Sequence, residues 1–267
     1  MENHIQPGAG NGLQLAIRLL LITLFVFCAS TFSVAQTAIS GIPKSAVVVE
    51  TKKLPGHPQR MLALWMLNPK KNPTGYAAGD VYTCPDYSRG SHYSGPTRVA
   101  LIDTTAMKVI NSVKVASFDE EQDSFDVPSA IRKGNYYPVN ARTAKGVEAK
   151  PTIMVLKDYN GDGKPLEFAL FEAEACMGLA TTLIGYSEKQ DRVIQYPVKL
   201  TVLEGSKHSE RVSPWADYLF NKKPVRPGYW KYEIDYRGRA GSLDKWEVRY
   251  NAAREQFEGT LTVIAGD

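Results

Sequence analysis

The sequence predicts an all-β fold built from antiparallel hairpins and meanders, either propeller-like or a β-sandwich, with little helix. Its clearest signal is alternation: in residues 230–236, Trp230, Tyr232 and Ile234 alternate with charged side chains. Successive side chains of a strand face opposite sides, so such a run has one apolar and one polar face. Polar or glycine-containing stretches separate it from two further runs at 246–250 and 257–263, which is typical of hairpin connections.

Three segments before this region predict individual elements. Residues 61–67 form an apolar run that suits a buried strand. Residues 98–115 and 182–202 share one pattern, in which Leu-Ile, a polar turn and a Val-rich run follow one another, and each predicts a hairpin. The best helix candidate is 214–220, with Pro214 at the first helical position.

Composition excludes several classes of protein. The 267 residues are 43% apolar, with 32 Lys and Arg against 28 Asp and Glu. These values exclude a disordered chain, a collagen-like chain and a polytopic membrane protein. The formal net charge of +4 is too small to predict nucleic-acid binding, which usually requires a dense basic face.

The N-terminal segment 1–35 has the pattern of a signal peptide. An apolar run at 19–28 follows Arg18, and small residues at Ser33 and Ala35 precede a cleavage site. A membrane span needs about 20 predominantly apolar residues, and this run is shorter. We therefore expect export to the periplasm or the extracellular space after cleavage near Ala35. A single N-terminal membrane anchor is the alternative.

The mature chain is expected to form a β domain at 36–203 and an aromatic-rich β meander at 204–267 packed on the same domain. Cys84 and Cys176 remain once Cys28 has left with the signal segment. Thiols of an exported protein tend to pair in an oxidising compartment, which predicts a Cys84–Cys176 disulfide. Two separate buried thiols are the alternative.

One loop has the composition of a cation site. Residues 158–163 read DYNGDG, with oxygen side chains at Asp158, Asn160 and Asp162, and they follow the apolar run 153–156, which we interpret as a strand. Ca²⁺ binds about six to eight oxygens, and alternating acidic residues on a curled loop supply them. The alternative is a tight turn that binds nothing, its side chains making Asx-type hydrogen bonds.

The segment 153–200 resembles the calcium loops of the FG-GAP and VCBS repeat families, in which a D-x-[DN]-G-D-G loop lies between two strands. Only one copy of the pattern is clear. Those families usually carry a further acid at the ninth loop position, where this chain has Leu166 followed by Glu167. An EF-hand is excluded, because its bidentate Glu is replaced by Ala169. The resemblance implies a structural Ca²⁺ held by Asp158, Asn160, Asp162, the Lys164 carbonyl and Glu167.

Motifs of catalysis are missing from the sequence. It has no G-x-S-x-G, H-E-x-x-H, C-x-x-C or G-x-x-x-x-G-K-[ST] pattern. We therefore expect an exported, non-catalytic binding or structural β module. The alternative is a secreted polysaccharide hydrolase that uses Glu172 and Glu174, two carboxylates on the same face of one strand.

Tyr229 is the candidate for an exposed ligand contact, since it lies on the polar face of its strand with Lys231 and Glu233. The aromatic residues of 215–257 fit core packing better than a ligand platform, whereas a local excess of Lys and Arg in 205–254 favours anionic polysaccharide or lipid headgroups. The expected partner is a polysaccharide or another envelope or extracellular protein. No nucleic-acid partner is expected. Membrane contact is expected only through the N-terminal segment, if that segment is not cleaved.

Overall fold

Strands make up almost all of the regular structure. A computed structural model describes residues 39–72, 92–116, 125–128, 152–174, 178–239 and 241–266. In these residues the all-β fold with little helix is confirmed, because one 3₁₀ turn at Arg237–Arg239 is the only helical element. The strands are β1 (Ala46–Leu54), β2 (His57–Leu67), β3 (Lys70–Asn72), β4 (His92–Gly95), β5 (Thr97–Asp103), β6 (Lys108–Lys114), β7 (Phe125–Pro128), β8 (Glu167–Glu174), β9 (Gly178–Ser187), β10 (Arg192–Gln195), β11 (Val198–Glu204), β12 (Lys207–Ser213), β13 (Trp215–Asp217), β14 (Tyr229–Asp235), β15 (Ser242–Asn251) and β16 (Gln256–Ala265).

The described strands form four sheets. Sheet A has the order β1-β2-β5-β6, and the short sheet B has the order β3-β4-β7. In sheet C, β9 pairs with β8 on one side and with β10 and β13 on the other. Sheet D has the order β12-β11-β16-β15-β14, in which β11 and β16 run parallel and the other pairs run antiparallel.

Sheet C lies between two hydrophobic clusters, so the architecture is a layered β-sandwich. The first cluster joins β2 and β5 of sheet A to Phe168 and Leu170 of β8. The second joins Ala169 of β8 to Trp230 and Trp246 of sheet D. Alternate residues of β8 therefore face different clusters. In β9 every residue after Gly178 is buried, because both faces of this strand are covered. Its sequence therefore does not alternate between apolar and charged residues.

The C-terminal meander is present as predicted, with β14, β15 and β16 pairing in chain order. Trp230 and Trp246 are each 1% exposed and belong to the core. The meander is not a separate sheet, because β11 pairs along its β16 edge. The residues that the structure describes all lie in one compact unit.

The two predicted hairpins differ in how far they extend. Residues 98–115 form β5 and β6 as predicted. In 182–202 the second run is not one strand, since it breaks at Tyr196 and Pro197 into β10 of sheet C and β11 of sheet D. Proline has no N–H to give to a strand ladder, so the chain changes sheets there. Tyr196 therefore lies at the corner between the two sheets.

Three hairpin turns use the same local chemistry. Asp103, Ser187 and Asn251 each begin a turn, and a side-chain oxygen of each accepts a backbone N–H two or three residues later. Such bonds stabilise the turn without help from the rest of the fold. The last residue of each turn has a positive φ: Met107 (47°), Asp191 (47°) and Glu255 (50°).

The predicted helix at 214–220 is wrong, because Trp215–Asp217 is strand β13. The Ser213 hydroxyl oxygen accepts the Trp215 N–H at 3.2 Å and forms a turn instead of a helix cap. Pairing with β9 and complete burial of Ala216 outweigh the weak local preference for helix.

The predicted strand at 153–156 is also wrong. The N–H groups of Ile153 and Met154 donate to Oε2 of Glu50 at 2.7 and 3.3 Å, so a side chain takes the place of a neighbouring strand. Both residues are buried in the first cluster. Their apolar character therefore reflects burial and not strand pairing.

Asn111 of β6 joins sheet A to sheet C. Its amide group donates to the Val193 carbonyl at 2.8 Å, and its carbonyl accepts the Val193 N–H at 3.0 Å. Asn111→Ala is expected to lower the free energy of unfolding by about 2 kcal/mol, because it leaves both backbone groups of a fully buried residue without partners. Urea unfolding measures this loss. Ser112→Ala is the control, since the Ser112 hydroxyl bonds within the hairpin to Val99; equal losses would contradict the prediction.

Candidate functional site

The acidic loop, defined here as residues 158–167, is closed at its base by a backbone bridge. The Lys157 N–H donates to the Glu167 carbonyl at 2.8 Å, and the Glu167 N–H donates back at 3.3 Å. Gly161 and Gly163 have φ values of 83° and 86°, which let the chain curl tightly. The loop ends where β8 begins.

Asp158 binds the backbone of its own loop. Its Oδ1 accepts the Gly161 N–H at 2.7 Å, and its Oδ2 accepts the Gly163 N–H at 3.1 Å. Asp162 accepts the Lys164 N–H at 2.8 Å in the same manner. These Asx-type bonds hold the curl, and each carboxylate oxygen keeps a further lone pair for a ligand.

Glu167 folds back beneath the loop and is completely buried. Its Oε2 accepts the Tyr159 N–H at 3.0 Å, and its Oε1 accepts an N–H of the Asn160 side chain at 3.1 Å. The same Asn160 amide nitrogen donates to Oδ2 of Asp162 at 3.1 Å, so it lies between two carboxylates. Burial raises the pKa of Glu167 to about 8, although the bond from Tyr159 opposes the change.

The structure therefore brings three of the five predicted ligands together: Asn160, Asp162 and Glu167. Asp158 faces the backbone of the loop, and the Lys164 carbonyl accepts the Leu166 N–H at 3.0 Å. Among the residues that the structure describes, no three His, Cys, Asp or Glu side chains form a group suited to hold a metal ion. Cation binding here requires amide and carbonyl oxygens as well.

The acidic loop rests on sheet D. The Gly228 N–H donates to the Tyr159 carbonyl at 3.0 Å. A Cβ at Gly228 would lie 2.5 Å from the Asn160 carbonyl oxygen, so the two backbones touch. The Tyr159 ring stacks at 6.5 Å on Trp230, and burial raises its pKa to about 12. Backbone contact and ring packing together fix where the loop points.

A cleft of about 180 Å³ opens beside the acidic loop, and we call it the Tyr196 cleft. The loop forms one wall, and the tips of the β9–β10 and β15–β16 hairpins form the others. Glu255 joins the two tips, since its carboxylate accepts the Ser187 hydroxyl and the Gln190 amide. The cleft is lined by Asn160, Asp162, Tyr186, Ser187, Glu188, Lys189, Tyr196, Tyr250, Ala252 and Glu255.

Ion pairs fix the outer rim of the cleft. Glu188 accepts from the Lys164 ammonium and from Nε2 of His57, the latter at 2.9 Å. The bond from Lys164 lowers the pKa of Glu188. Nearby, the Asp191 carboxylate accepts from Nε and Nη2 of Arg60 at 2.9 and 2.7 Å, which lowers its pKa to about 2. These pairs tie the β9–β10 tip to strand β2.

No family model matches this chain, and neither a curated protein nor a solved structure matches it. In the part of the chain that the structure describes, no helix has both the length and the apolar character needed to cross a membrane.

Tyr229 is half-buried at the start of β14 and lies apart from the Tyr196 cleft. Its hydroxyl donates to Oε1 of Glu247 at 3.1 Å. Guanidinium groups lie near its ring, that of Arg249 at 4.5 Å and that of Arg226 at 5.8 Å from the ring centre. The ring is thus held by cationic neighbours. The alternation of apolar and polar residues in this strand does not predict these contacts.

The remaining predicted residues lie elsewhere. Glu172 of β8 is half-buried opposite Ala180 and does not line the Tyr196 cleft. The side chain of Glu174 lies outside the described residues. The predicted disulfide between Cys84 and Cys176 and the signal segment 1–35 also lie outside them.

Sequence reasoning missed Tyr196, Tyr250 and Glu255. Tyr196 reads as one more apolar residue of a strand, and Glu255 as a polar residue in a turn. The adjacent Pro197 is the one local signal, because it marks a corner where a side chain leaves the regular alternation. Glu255 lines one cleft with Asn160 and Asp162 because distant parts of the chain pack together.

Proposed function

We propose that this chain is an exported, non-catalytic β module whose acidic loop binds Ca²⁺ as a structural ion. The observation that carries the proposal is the position of Glu167. The sequence leaves it one residue away from the usual fourth ligand position, yet its carboxylate reaches Asn160 under the loop. Asp162 contacts the same amide group.

Charge supports a cation at this point. Asp158, Asp162 and Glu167 form no ion pair with any Lys, Arg or His side chain among the described residues. A buried carboxylate without a counter-charge is costly, and a divalent cation removes that cost. An amide N–H group cannot bind a metal ion. For an ion to bind, the Asn160 side chain must therefore turn so that its carbonyl oxygen takes the place that its nitrogen now has between the two carboxylates.

Oxygen ligands alone favour Ca²⁺ over the transition metals, which prefer nitrogen or sulfur. The resemblance to the FG-GAP and VCBS loops implies the same ion. Export agrees with weak binding, since extracellular modules hold Ca²⁺ with Kd values of about 10⁻⁴ to 10⁻³ M.

Thermal unfolding tests the proposal. Ca²⁺ at about 10 mM is expected to stabilise the folded chain by about 1.5–3 kcal/mol. For a chain of this size, that raises Tm by about 3–10 °C over the value in chelator. Asp162→Asn keeps the turn's hydrogen-bond acceptor but removes a charge, so it should lose most of the rise.

Asp103→Asn is the matched control, because Asp103 makes the same kind of turn bonds outside the acidic loop and does not line the cleft beside it. It should keep the full Ca²⁺ response. A wild-type Tm that is equal in Ca²⁺ and in chelator would reject the ion and leave the loop as a turn.

A further inference from the structure

The Tyr196 cleft carries a net negative charge. Asp162 and Glu255 line it, and neither pairs with a Lys, Arg or His of the described chain. Glu188 lines the cleft as well and pairs with Lys164, while Lys189 keeps its charge because it binds only the neutral Ala253 carbonyl at 3.0 Å, so three carboxylates face two ammonium groups. The cleft therefore attracts a cation.

The hydroxyl of Tyr196 adds an independent observation. The residue is 1% exposed and lines the cleft, yet its hydroxyl has no hydrogen-bond partner among the residues the structure describes. Burial raises its pKa, and the carboxylates of Glu167 and Glu255 act in the same direction. The hydroxyl is not one of the fully buried atoms without a partner, so it is reached from the cleft and is free to bond a ligand there.

Aromatic walls distinguish an organic cation from a metal ion. Tyr186 and Tyr250 line the cleft with Tyr196, and the rings of Tyr196 and Tyr250 meet edge to face at 6.0 Å. Tyrosine faces attract ammonium groups and also cover the alkyl chain behind them. The volume of about 180 Å³ suits a group of a few heavy atoms.

We propose that the Tyr196 cleft binds a primary alkylammonium group. Glu255 and Asp162 supply the counter-charge, the Tyr196 hydroxyl oxygen accepts an ammonium N–H, and the tyrosine rings enclose the alkyl chain. The ligand is either a free amine or a lysine side chain, since both present this chemistry. The proposal goes beyond Ca²⁺ binding, because Glu255 and Tyr196 are not ligands of the acidic loop.

Titration calorimetry with n-butylammonium chloride tests the proposal on the full chain. Saturable binding is expected with Kd about 1 mM, in line with so small a ligand. The uncharged 1-butanol should not bind. Equal binding of the alcohol, or no saturation by the amine, would overturn the proposal.

Variants identify the groups involved. Glu255→Gln and Tyr196→Phe should each weaken butylammonium binding about tenfold, as expected for loss of one hydrogen bond to a charged group. Glu210→Gln on β12 removes a charge far from the cleft and should leave binding within about twofold. Tyr196→Phe keeps the assignment testable if Glu255→Gln does not fold, and unchanged binding in either folded variant would reject it.

Two further measurements distinguish a free amine from a lysine side chain, and amine binding from Ca²⁺ binding. Nα-acetyl-lysine methylamide that binds more tightly than 1,4-diaminobutane supports a lysine side chain, and the reverse order supports a free amine. Asp158→Asn is expected to lose the Ca²⁺ response but keep amine binding. Loss of both responses in this variant would reject an amine site that works without bound Ca²⁺.

Discussion

Glu167→Gln is expected to flatten the pH dependence of folding in the cation-free protein. The folded pKa of Glu167 is about 8, against an ordinary value of 4.5. The folded state therefore retains a proton that the unfolded chain releases between these values. Stability is full below the lower pKa and is lost as pH rises through the higher one.

The effect is large because the carboxyl group is completely buried. In chelator the wild type should lose about 3–5 kcal/mol between about pH 4.5 and 8. Glutamine carries no charge at either pH, so Glu167→Gln should lose much less and should be the more stable protein at about pH 8. Urea unfolding across this range measures both curves.

Glu188→Gln is the control for this experiment. Glu188 lines the Tyr196 cleft, and the bond from Lys164 lowers its pKa, which is the opposite direction to the change in Glu167. Its replacement should leave the wild-type loss between about pH 4.5 and 8 intact. If Ca²⁺ binds the acidic loop, adding it should also flatten the wild-type curve. A wild type whose stability rises over this range would contradict the buried, uncompensated Glu167.

Gly228→Ala is expected to detach the acidic loop from sheet D. Gly228 has φ 76°, and a Cβ there would lie 2.5 Å from the Asn160 carbonyl oxygen and 3.1 Å from its carbon. Both are backbone atoms, so no side-chain rotation relieves the contact. We expect a loss of about 3 kcal/mol or more in the free energy of unfolding, and loss of the Ca²⁺ response.

Gly56→Ala separates the cost of a left-handed backbone conformation from the cost of the Cβ contact with Asn160. Gly56 has φ 75°, almost the same conformation, but a Cβ there has no atom within 4 Å. This variant should lose only the cost of a left-handed alanine, about 1 kcal/mol, and should keep its Ca²⁺ response. Equal losses in the two variants would show that the loop does not depend on the Gly228 contact.

Only part of the candidate site can be predicted from the sequence. Asp158, Asn160 and Asp162 are identified because their spacing and their turn bonds are local. Glu167 is identified too, but the sequence alone does not tell whether its side chain reaches the loop. That depends on the bridge between Lys157 and Glu167 at the base of the loop.

Local patterns determined the all-β class, the β5–β6 hairpin and the C-terminal meander, because alternation and turn residues act over a few positions. The tertiary structure decided the rest. Pairing with β9 made 215–217 strand β13 instead of part of a helix. The segment 153–156 is apolar because it packs in the core, although it is not a strand. Contacts between distant segments likewise brought Glu255 and Tyr196 to one cleft with the acidic loop. Such contacts depend on which strands pair and which faces are covered, and that information is spread over the whole chain.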